Sequence, residues 1–107
     1  RAASLAAAGP TSHFNLGAFL YQKGLASQRD GDAAATRAAL AEAKGYLQRA
    51  TAQDPYHVRA WMLLGHCLAF EGRAADARDA WRRVIAIDGP EGVVGREAGA
   101  ALARLGS

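Results

Sequence analysis

Apolar residues recur along the chain at steps of three and four, the spacing that places them on one face of an α-helix. The first such run is Ala33, Thr36, Leu40, Ala43, Leu47 and Ala50. The second is Ala74, Ala77, Trp81 and Ile85. No stretch alternates apolar with polar residues for long enough to predict a strand. The pattern therefore predicts an all-α protein.

Turn-forming residues divide this pattern into five predicted helices. They are Pro10, Asp30-Gly31, Asp54-Pro55, Gly72 and Asp88-Gly89-Pro90. Asp54 before Pro55 is typical of a helix start, because the carboxylate can accept from free amides and proline has no amide to leave unpaired. We therefore expect a helix to begin at Asp54-Pro55. Trp61 and Trp81 should lie on successive antiparallel helices, with Gly72 in the turn between them.

The central segment carries a motif of fixed spacing. Its residues are Trp61, Leu64, Gly65, Leu68, Gly72, Ala77 and Trp81. They resemble the tetratricopeptide repeat (TPR), whose pattern is Trp-x2-Leu-Gly-x2-Tyr, then Ala-x3-Phe, then Pro. Leu68 replaces the tyrosine, Trp81 replaces the phenylalanine, and Pro90 follows one residue late. The resemblance implies one regular repeat at about residues 58–90.

Partial matches flank this repeat. Ala98-Gly99-x2-Leu102 follows at the repeat period of 34 residues and predicts a half repeat or capping helix at about 90–106, with Gly95 in place of the bulky leading residue. Leu16-Gly17-x2-Leu20 predicts an expanded repeat at about 10–55, but Gly17 precedes Gly65 by 48 residues. The excess is close to four helical turns. We therefore expect a lengthened first hairpin, with helices at about 11–29 and 32–53 and Asp30-Gly31 at its tip.

The resemblance implies a short TPR-type α-solenoid of stacked antiparallel helix hairpins, ending in a C-terminal capping helix. Residues 1–10 are predicted to form a linker or tail, and residues 11–107 are predicted to form a single TPR-like helical domain. The chain has 107 residues, enough to bury a core. Of these, 27 are alanine, a strong helix former with a small side chain, so we expect closely packed helices.

The charge pattern excludes some classes of partner. The net charge is +3, but 13 basic residues are interspersed with 10 acidic ones, and no basic stripe forms. No apolar stretch approaches the roughly 18 residues of a membrane span. We expect no nucleic-acid partner and no membrane insertion. Cys67 is the only cysteine, which excludes an internal disulfide and leaves both cytoplasm and periplasm open.

No arrangement of residues in the sequence is typical of catalysis. His13, His57 and His66 lack the spacing of metal ligands. His66 and Cys67 are adjacent, so on a helix they point about 100° apart, a poor geometry for a thiol and its base. We expect Cys67 to be a buried structural residue. The chain is therefore predicted not to be an enzyme and to need neither a metal nor a cofactor.

Function is then predicted to reside in a surface. In the TPR family the first helices of successive repeats line a concave groove that receives a peptide, and the resemblance implies such a groove here. Helical spacing away from the packing stripes selects Phe14, Ala18, Tyr21, Arg59, Met62, His66, Phe70, Arg96 and Arg104. Alternatives remain open: Phe14 and Phe70 could be core residues, and Met62 could fill a gap in the packing. Arg59 could be only a solvated residue at a helix start.

The leading hypothesis is a module that binds a peptide or partner protein through this groove, as part of a larger bacterial protein or complex. Some family members hold a C-terminal carboxylate with a lysine and an asparagine, but Phe14 and Ala18 occupy those positions here. An apolar or mixed peptide is therefore expected. The alternative is a structural module that oligomerises, or docks a neighbouring domain, through the apolar edge of the terminal helix.

Overall fold

The computed structural model describes residues 9–106, and five α-helices account for most of them. They are α1 (Pro10–Arg29), α2 (Ala33–Gln53), α3 (Val58–Phe70), α4 (Ala74–Asp88) and α5 (Val93–Leu105). No strand occurs in this range, and the predicted all-α class is confirmed. Of the predicted linker or tail at 1–10, residues 1–8 lie outside the described part, and Pro10 already belongs to α1. No helix among residues 9–106 has the length and apolarity needed to cross a membrane.

The chain divides into two compact units, Arg1–Pro55 and Tyr56–Ser107. The first contains α1 and α2, and the second contains α3, α4 and α5. That residues 11–107 form a single domain stays a prediction.

The first unit is a long helical hairpin. Its helices have 20 and 21 residues, against 13 in α3 and 15 in α4, so the predicted lengthening is confirmed. A Cβ built on Gly17 would lie 2.8 Å from Leu47 Cγ, and one on Gly24 would lie 2.9 Å from Leu40 Cγ. Both leucines are buried, because the two glycines let the helix backbones approach closely.

The tip of this hairpin is the predicted Asp30-Gly31 turn. Gly31 has φ +79°, a conformation that favours glycine, and its N–H donates to the Gln28 carbonyl at 3.1 Å. The N–H of Asp32 donates to the Ser27 carbonyl at 3.0 Å. Asp32 also begins α2, because its Oδ1 accepts from the Ala35 N–H at 3.0 Å. One short turn therefore ends α1 and starts α2.

The second unit begins with a shorter antiparallel hairpin of α3 and α4. Trp61 and Trp81 lie on successive helices, and Gly72 (φ +81°) lies in the turn between them, as predicted. Trp81 is buried, whereas Trp61 is half-buried beneath the Arg83 guanidinium, which lies 4.8 Å from the centre of its ring. The core of the unit comprises Ala60, Met62, Leu64, Cys67, Leu68, Ala77, Ala80, Trp81, Val84, Ala98 and Ala101. The predicted burial of Cys67 is thus confirmed.

The helix start predicted at Asp54-Pro55 is wrong. A residue before proline favours extended backbone, and Asp54 adopts φ −137° and ψ 91°, which ends α2 instead of starting α3. Pro55 and Tyr56 then form a turn, and α3 begins at Val58. His57 provides the cap, because its Nδ1 accepts from the Ala60 N–H at 3.2 Å.

The corner between α4 and α5 explains why glycine occupies position 95. Asp88 Oδ2 accepts from the N–H groups of Val94 at 3.0 Å and Gly95 at 2.9 Å, so a residue of α4 caps α5. A Cβ on Gly95 would collide with the carbonyl group of Gly89. A bulky leading residue, as in a regular repeat, cannot fit in this corner.

Candidate functional site

One row of α3 side chains reaches solvent, and we call Arg59, Leu63, His66 and Phe70 the α3 strip. Arg59 and Phe70 are exposed, Phe70 by 41%, whereas Leu63 and His66 are half-buried. Steps of three and four place the four on one side of the helix. Most of the remaining α3 side chains are buried, so the α3 strip is the main surface that this helix offers to a partner.

The α3 strip is supported from beneath by Trp81 of α4. The indole lies against Gly65, where a Cβ would be 2.7 Å from Trp81 Cε2. Its Nε1 donates to the Met62 carbonyl at 3.2 Å, which satisfies a buried donor. The His66 ring meets the indole edge-on, with 5.5 Å between ring centroids. The close contact at Gly65 thus sets where the His66 ring lies.

His66 also connects α3 with α5. Burial lowers the pKa of His66 below its ordinary value of 6.5; Glu97 acts in the opposite direction and Arg104 in the same one. The imidazole is therefore neutral at pH 7. Because Glu97 and Arg104 are seven residues apart, they share one face of α5. Their influence on His66 indicates that this face lies beside the α3 strip.

The structure separates the residues of the second unit that the sequence proposed for binding. Arg59, His66 and Phe70 share the α3 strip, and Arg104 lies near them through its interaction with His66. Arg96 is exposed in the first turn of α5. The Met62 side chain is only 3% exposed, which favours the gap-filling alternative. We therefore remove Met62 from the proposed surface, since burial leaves its side chain almost no area for a partner.

Glu97 was missed by the sequence reasoning, which looked for cations and aromatics on α5. One signal could have found it: the repeat period of 34 residues places Glu97 at the position equivalent to Leu63, within the α3 strip. Glu97 thus adds a negative charge to α5, for which the sequence had proposed only Arg96 and Arg104 as contact residues.

The three candidates of α1 lie in the first unit. Phe14, Ala18 and Tyr21 are all half-buried and lie on one side of that helix. The most exposed apolar side chains of α1 are Leu16 and Phe19, on another side; Phe19 is 67% exposed. The contribution of Phe14, Ala18 and Tyr21 to binding stays a prediction.

Within residues 9–106, no three His, Cys, Asp or Glu side chains are grouped so that they could hold a metal ion. A family model described as tetratricopeptide repeat matches residues 36–93, more than half of the 107-residue chain. The match runs from Thr36 in α2 to Val93, the first residue of α5. No curated protein matches the chain.

Proposed function

Because the chain belongs to the tetratricopeptide repeat family, we propose that it binds a peptide segment of a partner protein through the α3 strip and the adjoining Glu97 and Arg104. Proteins of this family mediate protein–protein interaction and are typically not catalytic. We propose no reaction for this chain. The observation that carries the proposal is the row of Arg59, Leu63, His66 and Phe70, flanked by charged residues of α5.

The chemistry of this surface supports a peptide ligand. Phe70 and Leu63 offer apolar contact area, and the imidazole of His66, neutral at pH 7, adds a polar group beside them. Arg59 and Arg104 can bind carboxylate or carbonyl oxygens. A small number of polar groups around an apolar contact is typical of sites that fix the orientation of a ligand.

The support beneath the surface favours binding without rearrangement. Trp81 is buried, hydrogen-bonded to the backbone of α3 and in contact with His66, so the α3 strip rests on a packed layer. Rigid support lowers the entropy lost on binding. A short peptide on so small a surface should still bind only in about the micromolar range, because ordering the peptide offsets much of the contact energy.

We propose that the first unit has a contact surface of its own, formed by Phe14, Ala18 and Tyr21. Their shared side of α1 and their partial burial support this assignment. It is tested by Tyr21→Ala, which should weaken binding without changing the helical circular dichroism spectrum.

The main test compares two variants of the same chemical kind. The chain, Phe70→Glu and Phe19→Glu are immobilised, and the proteins that each captures from a lysate of the source organism are identified by mass spectrometry. Both changes place a carboxylate at an exposed phenylalanine, so both variants should fold, which circular dichroism verifies. Met62 is left unchanged, because a carboxylate in the core would destabilise the unit.

We expect a partner that the unmodified chain and Phe19→Glu capture and that Phe70→Glu loses. A partner retained by Phe70→Glu and lost by Phe19→Glu would contradict the proposal and place the binding surface on α1.

A second candidate function is self-association through α5. It is favoured by Val93, which is 83% exposed at the start of the terminal helix, with Leu105 half-buried near its end. Sedimentation over a range of concentrations decides between the two. A dimer that Val93→Glu dissociates would favour self-association, whereas a monomer at all concentrations would count against it.

A further inference from the structure

The arginines of the second unit differ in whether the protein itself provides them with partners. On α4 and at its N-cap, Arg73 pairs with Asp76 at 2.8 Å and Arg82 lies 4.0 Å from Asp79. Arg83 covers the ring of Trp61. These cations are therefore at least partly neutralised or engaged within the unit.

The arginines of α3 and α5 behave differently. Within the part of the chain that the structure describes, the guanidinium groups of Arg59, Arg96 and Arg104 form no hydrogen bond or ion pair, and all three residues are exposed. Glu97, which lies between Arg96 and Arg104 on α5, adds one carboxylate to this surface through its interaction with His66. Since burial lowers the pKa of His66, its imidazole is neutral at pH 7, and the three guanidinium groups outnumber the Glu97 carboxylate.

We propose that the segment bound at this surface is acidic, with carboxylates that pair with Arg59, Arg96 and Arg104. The proposal rests on the proposed function, because it assigns a ligand chemistry to the same surface and extends that surface to Arg96 in the first turn of α5. Charge complementarity selects this occupant: a segment with carboxylates gains contacts at the three arginines, whereas a basic segment meets repulsion at each.

The layout of the charges also predicts the spacing within the ligand. Both α3 and α5 run antiparallel to α4, so Arg59 and Arg96, each in a first turn, lie at the same end of the unit. Arg104 lies in the last turn of α5, at the opposite end. From Arg96 to Arg104 a helix rises about 12 Å. An extended peptide covers that length in about four residues.

The middle of the surface is unfavourable for a third carboxylate of the ligand. Glu97 would repel it, and the neutral His66 and half-buried Leu63 provide no positive charge there. The predicted ligand therefore has two acidic residues four positions apart with apolar residues between them. Its chain terminus is not needed, because the three arginines can bind side-chain carboxylates.

The probe is a capped peptide, acetyl-Thr-Glu-Leu-Ser-Leu-Glu-Thr-amide, titrated into the labelled protein and followed by NMR. Its analogue carries lysine at both glutamate positions. Both ends are blocked, so a terminal carboxylate cannot account for binding. Titrations are made at low salt and at about 0.3 M salt, where exposed charge pairs are screened.

Two triple variants test whether the location of the positive charges matters, because each removes three of them from a different part of the unit. Arg59→Gln, Arg96→Gln and Arg104→Gln together should weaken binding of the glutamate peptide at least about tenfold, since each exposed pair contributes about two- to fivefold. The matched triple is Arg73→Gln, Arg82→Gln and Arg83→Gln, which removes the same charge from arginines already engaged. It should change the affinity less than about twofold. Thermal melts verify that both triples remain folded.

The expected result is binding of the glutamate peptide that weakens with salt and depends on the α3 and α5 arginines only. Equal or tighter binding of the lysine peptide, equal losses in the two triples, or no binding of either peptide up to about 1 mM would overturn the acidic assignment.

The results can reject the acidic ligand without rejecting the α3 strip as the binding surface, and the reverse. A captured partner that still depends on Phe70 would leave the α3 strip as the binding surface, with a ligand of other chemistry. Conversely, arginine-dependent binding of the glutamate peptide, with capture insensitive to Phe70→Glu, would keep the acidic ligand and exclude the apolar part of the surface.

Discussion

At the scale of single residues, Gly65 and Trp81 connect the packing of the second unit with its exposed surface. The absence of a Cβ at Gly65 leaves room for the indole, and the indole in turn contacts His66. The glycine that appeared in the sequence as part of a motif is thus a steric requirement of two packed helices. Gly99, its equivalent one repeat later, has open space around the position of a Cβ.

Gly65→Ala should destabilise the protein by about 1–3 kcal/mol, because the new methyl group must displace a buried, hydrogen-bonded indole. Gly99→Ala is the matched control. It should be neutral or stabilising by up to about 1 kcal/mol, since alanine favours the helix and meets no neighbour. Urea denaturation measures both. Equal stability changes in the two variants would show that Trp81 does not restrict position 65.

His66 should make stability depend on pH below its ordinary pKa of 6.5. Its pKa is lowered in the folded protein, mainly by burial, so on acidification the unfolded chain takes up the proton first. The free energy of unfolding therefore decreases as the pH falls from 6.5 through the lowered pKa. Above pH 6.5 His66 is neutral in both the folded and the unfolded state, so it adds no further pH dependence. His66→Gln should reduce this slope in thermal melts recorded across the range. An unchanged slope would assign it to other groups.

At the scale of helices, the first hairpin is longer than the second, yet its helices keep the same faces in contact. α1 and α2 exceed α3 and α4 by six or seven residues each, close to two turns, so the additional length preserves which face of each helix meets its neighbour. The contacts Gly17–Leu47 and Gly24–Leu40 repeat one another two turns apart. The extension thus reproduces an existing packing layer.

Deleting residues 20–26 and 38–44 together should leave a folded hairpin, because it removes the Gly24–Leu40 layer and keeps the Gly17–Leu47 layer and the turn. Unfolding followed by circular dichroism should stay cooperative. The control deletes only five residues from each helix, 21–25 and 39–43, which rotates the faces by about 140°. That variant should lose cooperative unfolding. The hypothesis of a modular extension is rejected if both deletions behave alike.

At the scale of the whole molecule, the open question is whether the two units unfold together. Both tryptophans lie in the second unit, so tryptophan fluorescence reports only on residues 56–107, whereas circular dichroism reports on all five helices. Leu47 is fully buried in the first unit and provides the perturbation.

Leu47→Ala should destabilise the protein by about 2–5 kcal/mol through lost contacts and a cavity. If residues 11–107 form a single cooperative domain, as the sequence predicts, the fluorescence and circular dichroism midpoints should shift together in urea. Val84→Ala, a buried change in the second unit, is the matched control and must shift the fluorescence midpoint. A Leu47→Ala protein with an unshifted fluorescence midpoint would show two independently unfolding units.

The sequence by itself determined what depends on neighbours along the chain. Helical periodicity gives the all-α class, Gly31 and Gly72 mark their turns because positive φ favours glycine, and the fixed spacing around Gly65 indicates the family. Even the lengthened hairpin could be predicted, because whole turns preserve facing.

Only the tertiary structure decided what depends on partners distant in sequence. Asp54 ends a helix and His57 starts the next, since the conformation before Pro55 outweighs the capping preference of aspartate. Met62 lies in the core, and Glu97 lies near His66. Among residues 9–106, Arg73, Arg82 and Arg83 at α4 have partners, whereas the guanidinium groups of the α3 and α5 arginines have none. Helical spacing states which side of a helix a residue occupies, but burial and charge pairing depend on what packs against that side.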